Sequence, residues 1–372
     1  MKLFTIKNLI LANIYFFCVI TNAFTSETNC NFKKEICFWK EKIVGIKTPM
    51  MIASGIILRD DFIITNRHVI EDHDFVLVKK NNGKIKKAFP LYHNIPADLV
   101  ILTLNKENKK YKDINIEIFK PDGEIRVIAF DQGRNNSRIY ESGKIISNFD
   151  SSHVKSRIHT TAKSFPGNSG GAVVDEKGNL IGVLASGDGK INEVIPIYLV
   201  NNIIKNIDIK HKENFIKIGY SIRKCADNLH TAHNIPKLPK ENIVNGIINF
   251  CNKSNNKQLY DEAGQTFGRW GNYKESTRFL EESIKMDPNS PNALLSLAIT
   301  YHLDRRIKDE LPIIKKLIEL VPSNPQMLRL AVQVSGFLKD KKLANEVLNL
   351  IKLHNPNEFD LANKFLNNAF AK

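Results

Sequence analysis

The chain has 372 residues and a net charge of +15, long enough for two or three domains, each with its own core. A hydrophobic content of 42% against 25% charged residues excludes an intrinsically disordered chain. A pI of about 9.4 would suit nucleic acid or an anionic surface. The lysines, however, are scattered through a sequence rich in Lys, Asn and Ile, with no arginine-rich stripe interleaved with aromatics, so no nucleic-acid partner is expected.

The start of the chain reads as a signal peptide over residues 1–23. Lys2 and Lys7 give a basic beginning, Leu9 to Ile20 is mostly apolar, and Thr21-Asn22-Ala23 offers small residues for cleavage after Ala23. The alternative is an uncleaved anchor, for which the apolar stretch falls short of the roughly 20 residues of a full span. No later segment is apolar enough to cross a membrane, so the mature chain is expected to be exported, either periplasmic or secreted. Cys18 leaves with the signal. The remaining Cys30, Cys37, Cys225 and Cys251 predict two disulfides in an oxidising compartment. Three pairings are possible; Cys30 with Cys37 and Cys225 with Cys251 is the simplest, because each pair then lies within one region. No C-x-x-C or close Cys/His cluster occurs, so neither a metal nor another cofactor is expected.

From Lys42 to about Ile204 the pattern is that of short strands. Apolar runs recur at 43–46, 51–58, 75–78, 97–102, 125–130, 143–146, 172–174 and 180–184, with Asn81-Asn82-Gly83 as a hairpin turn. This many strands at this spacing predicts closed antiparallel barrels or a sandwich. Residues 195–204 turn into a short amphipathic helix. Residues 211–256 are less regular, carry Pro236 and Pro239 with the second cysteine pair, and read as a connector clamped by a disulfide. From about Gln258 the apolar spacing becomes helical. Pro288, Pro322 and Pro356 recur every 34 residues, the tetratricopeptide period. The first repeat places Tyr260, Ala263, Gly264 and Phe267 on one helix and Ser276, Leu280 and Ser283 on the next. The second places Leu294, Leu297, Ala298 and Tyr301, then Ile314 and Leu317. The third places Leu328 and Ala331, then Ala344, Leu348 and Ile351, and residues 358–370 form a capping helix. Small residues at Gly264, Ala298 and Ala344 would let paired helices approach closely. An unrelated helical bundle, with proline merely ending helices, is the alternative.

The chemistry is concentrated in three places. Ser164-Phe165-Pro166-Gly167-Asn168-Ser169-Gly170-Gly171 reads as a nucleophile loop, a tight backbone able to aim amide N–H groups at one point. A strand ends in Thr65-Asn66-Arg67-His68, and another begins at Ala97-Asp98-Leu99. Singly, His68 is an ordinary histidine, Asp98 a turn former and Ser169 a turn serine. Together they stand in the chain order of a chymotrypsin-like triad, with His68 as base, Asp98 as its orienter and Ser169 as nucleophile.

These motifs, with Val174-Asp175-Glu176-Lys177-Gly178-Asn179-Leu180-Ile181-Gly182, resemble trypsin-like peptidases of the HtrA-like type over roughly residues 40–205. The resemblance implies an all-β double β-barrel, chymotrypsin-like, over residues 24–210; beyond it the cysteine and period patterns give the clamped linker at 211–256 and an all-α tetratricopeptide-like helical repeat domain at 257–372. It implies an oxyanion hole from the backbone of Gly167 and Ser169 with Asn168 between them. It places the specificity pocket at Lys163, Ser164, Ala185, Ser186 and Gly187. If Lys163 points inward, an acidic residue before the scissile bond is favoured; if outward, Ser164 and Gly187 leave room for a medium apolar one. HtrA-like proteins usually carry PDZ domains where this chain has repeats, and Asn168 stands where zymogen-activated trypsins have an aspartate. The expected function is therefore an exported serine endopeptidase acting on protein or peptide substrate, with a protein partner on the repeats. The alternative is a latent protease-fold scaffold whose repeats bind that partner.

Overall fold

The computed structural model describes residues 30–59, 61–106, 110–119, 121, 123–187 and 189–371; the predicted signal peptide lies outside them. Helix α1 (Lys34–Lys42) runs into β1 (Ile43–Lys47), β2 (Ile52–Arg59) and β3 (Phe62–Thr65). One helical turn, α2 (Arg67–Ile70), precedes β4 (Val76–Lys79), β5 (Ile85–Pro90) and β6 (Val100–Thr103). These six strands close into a barrel in the order β1-β2-β3-β6-β5-β4. The second half holds β7 (Glu124–Asp131), β8 (Asn136–Ile139), β9 (Gly143–Ser147), β10 (Ile158–Thr160), β11 (Ala172–Asp175), β12 (Leu180–Gly187) and β13 (Asn192–Pro196). Pairing of β11 with β7 closes the ring β11-β12-β13-β10-β9-β7, and β8 flanks β7. Closure removes the exposed strand edges that an open sheet would leave.

Strands β3 and β6 read as nearly unbroken apolar runs because both of their faces are buried. In β3, Ile63 packs with Val44, Ile46 and Val78, while Ile64 packs with Ile128, Val174 and Val183 of the second barrel. One register positions the site: Thr65 of β3 lies opposite Val100 of β6. Residues just after Thr65 and just before Val100 are therefore brought together.

After α3 (Tyr198–Asn206) the structure departs from the irregular connector expected at 211–256. That segment is a helix pair, α4 (Lys212–His233) and α5 (Glu241–Ser254). Pro236 and Pro239 fall in the turn between them and so punctuate the helices without breaking them. Phe215, Gly219, Ile222, Cys225, Leu229 and Ala232 line the buried face of α4 at helical spacing. A disulfide joins Cys225 of α4 to Cys251 of α5, and Cys30 and Cys37 are also disulfide-bonded.

Three helix pairs follow: α6 (Lys257–Arg269) with α7 (Tyr273–Met286), α8 (Pro291–Leu303) with α9 (Ile307–Leu320), and α10 (Pro325–Phe337) with α11 (Lys341–His354). Helix α12 (Phe359–Ala371) closes the array. The starts at residues 257, 291, 325 and 359 keep the 34-residue period. Asn256, Asn272, Ser290, Asn324 and Asp340 cap N-termini with side-chain oxygens, and Pro291 and Pro325 occupy first turns. The apolar positions named from the period are buried, except Leu348, which is half-buried. A Cβ at Gly264 would stand 2.5 Å from the Leu280 side chain, so α6 and α7 pack that closely only with glycine there. Among the described residues, no helix is long and apolar enough to cross a membrane.

The Cys225–Cys251 bond closes a 26-residue separation within the α4–α5 pair. Replacing both cysteines by alanine is expected to lower the stability of the helical part by about 3 kcal/mol. Chemical denaturation followed by far-ultraviolet circular dichroism checks this; an unchanged midpoint would contradict it.

Candidate active site

The α2 turn and the segment before β6 place His68 against Asp98. The Asp98 carboxylate accepts from the His68 backbone N–H at 2.9 Å and meets His68 Nδ1 at 2.7 Å. The Asp98 carbonyl accepts from Arg67 N at 3.1 Å and Asn66 Nδ2 at 3.2 Å. A carboxylate facing Nδ1 fixes the proton there and leaves Nε2 as the basic nitrogen. Burial alone would raise the Asp98 carboxyl, but the charge and hydrogen bond of His68 and the nearby Arg157 outweigh it and hold Asp98 below the usual range.

The expected nucleophile loop begins with a turn in which Asn168 N donates to the Phe165 carbonyl at 3.0 Å. Pro166 and Gly167, with φ +89° at glycine, give that turn its type II form. Asn168 anchors the loop from inside: its Oδ1 accepts from Phe165 N at 2.8 Å, and its Nδ2 donates to Tyr140 Oη at 3.1 Å and the Phe130 carbonyl at 3.3 Å. Neutral hydrogen bonds thus hold the loop at this position.

The first barrel holds the same loop through Ser54 of β2. Ser54 N donates to the Ser169 carbonyl at 2.7 Å, and Ser54 Oγ donates to the Gly167 carbonyl at 3.2 Å while accepting from Phe130 N at 2.9 Å. Gly170 has φ +86°, and a Cβ there would lie 1.9 Å from the Ser54 carbonyl oxygen. Only glycine permits that approach.

Of the expected oxyanion donors, the Asn168 amide is a correction: it is spent on Phe165 inside the turn. Among the described residues, the Gly167 and Ser169 amides donate to no protein group, so both are free for a ligand oxygen. The Ser169 hydroxyl donates to the Ala185 carbonyl at 2.9 Å. No hydrogen bond among the described residues joins it to His68.

In the expected pocket, Lys163 points away into solvent, where its ammonium meets the exposed Glu141 at 3.4 Å. The inward-pointing alternative is thereby removed. Ala185 is buried, Ser186 and Ser164 are half-buried, and Gly187 is exposed. A Cβ at Gly187 would lie 1.8 Å from Asn192 Oδ1, and Asn192, fully buried, donates from Nδ2 to the Ala162 carbonyl at 2.7 Å. Asn192 therefore braces both walls of this cleft.

Sequence reasoning missed Ser54, Asn192 and Arg157. Ser54 carried one signal, a polar residue inside an apolar strand next to Gly55. Arg157 carried none, because a buried arginine before a strand has no motif. Its guanidinium lies 3.7 Å from Asp98 Oδ2, bonds Glu193 at 2.5 Å and reaches Ser186 Oγ at 3.0 Å. Among the described residues, no group of three His, Cys, Asp or Glu side chains could hold a metal.

Residues 53–183 match the family model described as the trypsin-like peptidase domain. The serine endoprotease DegS of Haemophilus influenzae is 26% identical over 217 residues, covering 50% of this chain and 63% of DegS. An HtrA-like serine protease of Staphylococcus haemolyticus is 26% identical over 230 residues, 55% of this chain and 35% of the relative. A Buchnera aphidicola protein named "Probable periplasmic serine endoprotease DegP-like" is 31% identical over 173 residues, 42% and 36% of the two chains. Among solved structures, a serine endoprotease from Yersinia pestis is 24% identical, with a TM-score of 0.37, over 46% of this chain and 64% of that one. The chain spans less than two thirds of the length of these relatives. The double barrel is thus similar, over residues 53–183, to the trypsin-like peptidase domain, and by sequence to HtrA-type serine proteases.

Ser54→Ala is expected to lower unfolding free energy by about 1–3 kcal/mol, because it leaves Phe130 N and the Gly167 carbonyl unpartnered. Gly170→Ala should cost more, since its φ and its space both exclude a Cβ. Denaturant titration of the two variants checks the order.

Proposed function

We propose that this chain is an exported serine endopeptidase that hydrolyses peptide bonds with His68, Asp98 and Ser169, and whose helical repeats recruit or position a protein partner. The observation that carries the reading is the His68–Asp98 pair at 2.7 Å beside a serine loop whose Gly167 and Ser169 amides are unspent. In the reaction the Ser169 hydroxyl turns from Ala185 to His68 Nε2 and gives up its proton there as oxygen attacks the carbonyl. The oxyanion is met by the Gly167 and Ser169 amides. His68, now an imidazolium held by Asp98, protonates the leaving amine, and a water deprotonated by His68 then frees the acyl group.

The Cys225–Cys251 disulfide supports an oxidising compartment, and the signal peptide read at residues 1–23 supplies the route. The 34-residue helix pairs support a tetratricopeptide-like array at 257–372. The second reading, a latent protease-fold scaffold, is favoured by one contact: Ser169 Oγ rests on the Ala185 carbonyl and not on His68.

Mature full-length protein is expected to cleave unfolded protein substrates, and Ser169→Ala or His68→Ala to lower kcat by roughly 10⁴-fold or more. Cleavage of casein measured beside both variants checks this; a folded wild type as inert as Ser169→Ala would favour the scaffold. A peptide-library digest should show no preference for Asp or Glu before the scissile bond, because Lys163 faces solvent.

A further inference from the structure

A line of buried, alternating charges runs from Asp98 into the first helix of the repeats. Arg157, 3% exposed at its side chain, faces Asp98 at 3.7 Å and Glu193 at 2.5 Å. Glu193 on β13 accepts from Lys257 Nζ at 2.8 Å. Lys257, 1% exposed, opens α6 and also bonds Asp261 at 2.7 Å and Ser290 Oγ at 3.1 Å. Asp261 in turn accepts from Ser283 Oγ on α7. Asp98, Arg157 and Lys257 line one cavity where the barrels meet the helices. A second bridge runs parallel to the first: His159 Nε2 of β10 meets Asp287, which follows α7, at 2.9 Å, both fully buried.

Groups this deep cannot be charged singly, because an unpaired buried charge costs several kcal/mol. Burial alone would raise the Glu193 carboxyl, yet Lys257 and Arg157 hold it well below the usual range. Burial would likewise lower Lys257, and Asp261 and Glu193 hold it above its ordinary value. Each charge in the line therefore depends on the next. The share of Arg157 that Asp98 receives is set by how strongly Glu193 holds the guanidinium, and Lys257 sets that.

We infer that Arg157 is a positioning residue for the His68–Asp98 pair, and that Lys257 and Asp261 of the first repeat set the charge it presents there. The inference rests on the peptidase reading above. It makes the repeat domain a part of the catalytic apparatus, so that a partner shifting α6 against β13 changes the rate at Ser169.

The groups facing this line are His68 and Arg67 from α2, Glu71 just after it, His93 between β5 and β6, Lys155 just before β10, His159 from β10, Glu193 from β13, Lys257 and Asp261 from α6, and Asp287 after α7. The sign then follows. Arg157 disfavours a positive His68, so Arg157→Met should move the acid-side midpoint of reactivity upward by on the order of one pH unit. Glu193→Gln frees Arg157 toward Asp98 and should move it down. Asp261→Asn, a near-isosteric change inside the repeat, should also move it down, by less than Glu193→Gln. The measurement is the second-order rate of Ser169 phosphonylation by a fluorophosphonate probe against pH, using full-length mature protein with folding verified by circular dichroism. Opposite shifts for Arg157→Met and Glu193→Gln, with a shift at Asp261→Asn, support the inference. Rates that fall without any midpoint shift, shifts of one sign, or no effect at Asp261→Asn overturn it. If Arg157→Met fails to fold, a downward shift in both remaining variants supports the inference, and its absence in either overturns it. Absence of labelling in folded wild type would instead defeat the peptidase reading.

Discussion

The buried carboxylate of Asp98 is the constraint around which the site is built. It sits between two barrels with little exposure to solvent, so protein must supply most of the compensating charge and hydrogen bonds. The backbone and ring of His68 supply part, and Arg157 supplies part from the second barrel. Arg157 is itself buried and needs Glu193, and Glu193 needs Lys257. Satisfying one carboxylate thus extends through three elements and ends in the helical half of the molecule.

The helices grip the same region from the other side. Arg67, next to His68, is buried with its guanidinium 3.6 Å from the centre of the Phe215 ring of α4, and it donates to the Phe215 carbonyl at 2.6 Å. Burial lowers its pKa to about 9. Arg223 of α4 forms a two-pronged pair with Asp72, both contacts at 2.8 Å. A Cβ at Gly219 would lie 2.1 Å from the Glu71 carbonyl, so α4 lies directly on the α2 turn. The disulfide between α4 and α5 stiffens the element that makes these contacts. Barrels and helices therefore share an interface that begins one residue from His68.

Much of this was legible in the sequence, for identifiable reasons. Strands buried on both faces write themselves as runs of Ile and Val, and the 34-residue proline spacing marks helix ends with little else competing. The three candidate residues stood out because glycine and motif context surround Ser169, and because His68 and Asp98 sit at strand edges in the chain order of a triad; the register that pairs Thr65 with Val100 was seen only in the structure. Other features were not legible. The α4–α5 pair was read as irregular because its buried face mixes Gly219, Ser221 and Cys225 with a few large apolar residues, which blurs the period. The Asn168 amide could not be assigned without knowing which way the turn folds. Lys163 could point either way until Glu141 was placed beside it. Arg157 and Glu193 were invisible because a buried ion pair is made by tertiary contact across 36 residues, with no local pattern to announce it.

In the proposed reading His68, Asp98 and Ser169 come from three segments, and holding them together needs both barrels and, in this chain, the helices behind them. The most direct measurement is mass-spectrometric localisation of a fluorophosphonate adduct on the full-length mature protein. The account predicts one adduct per chain, on Ser169, absent when His68 is replaced by alanine. A folded chain left unmodified, or an adduct on another serine, would contradict it.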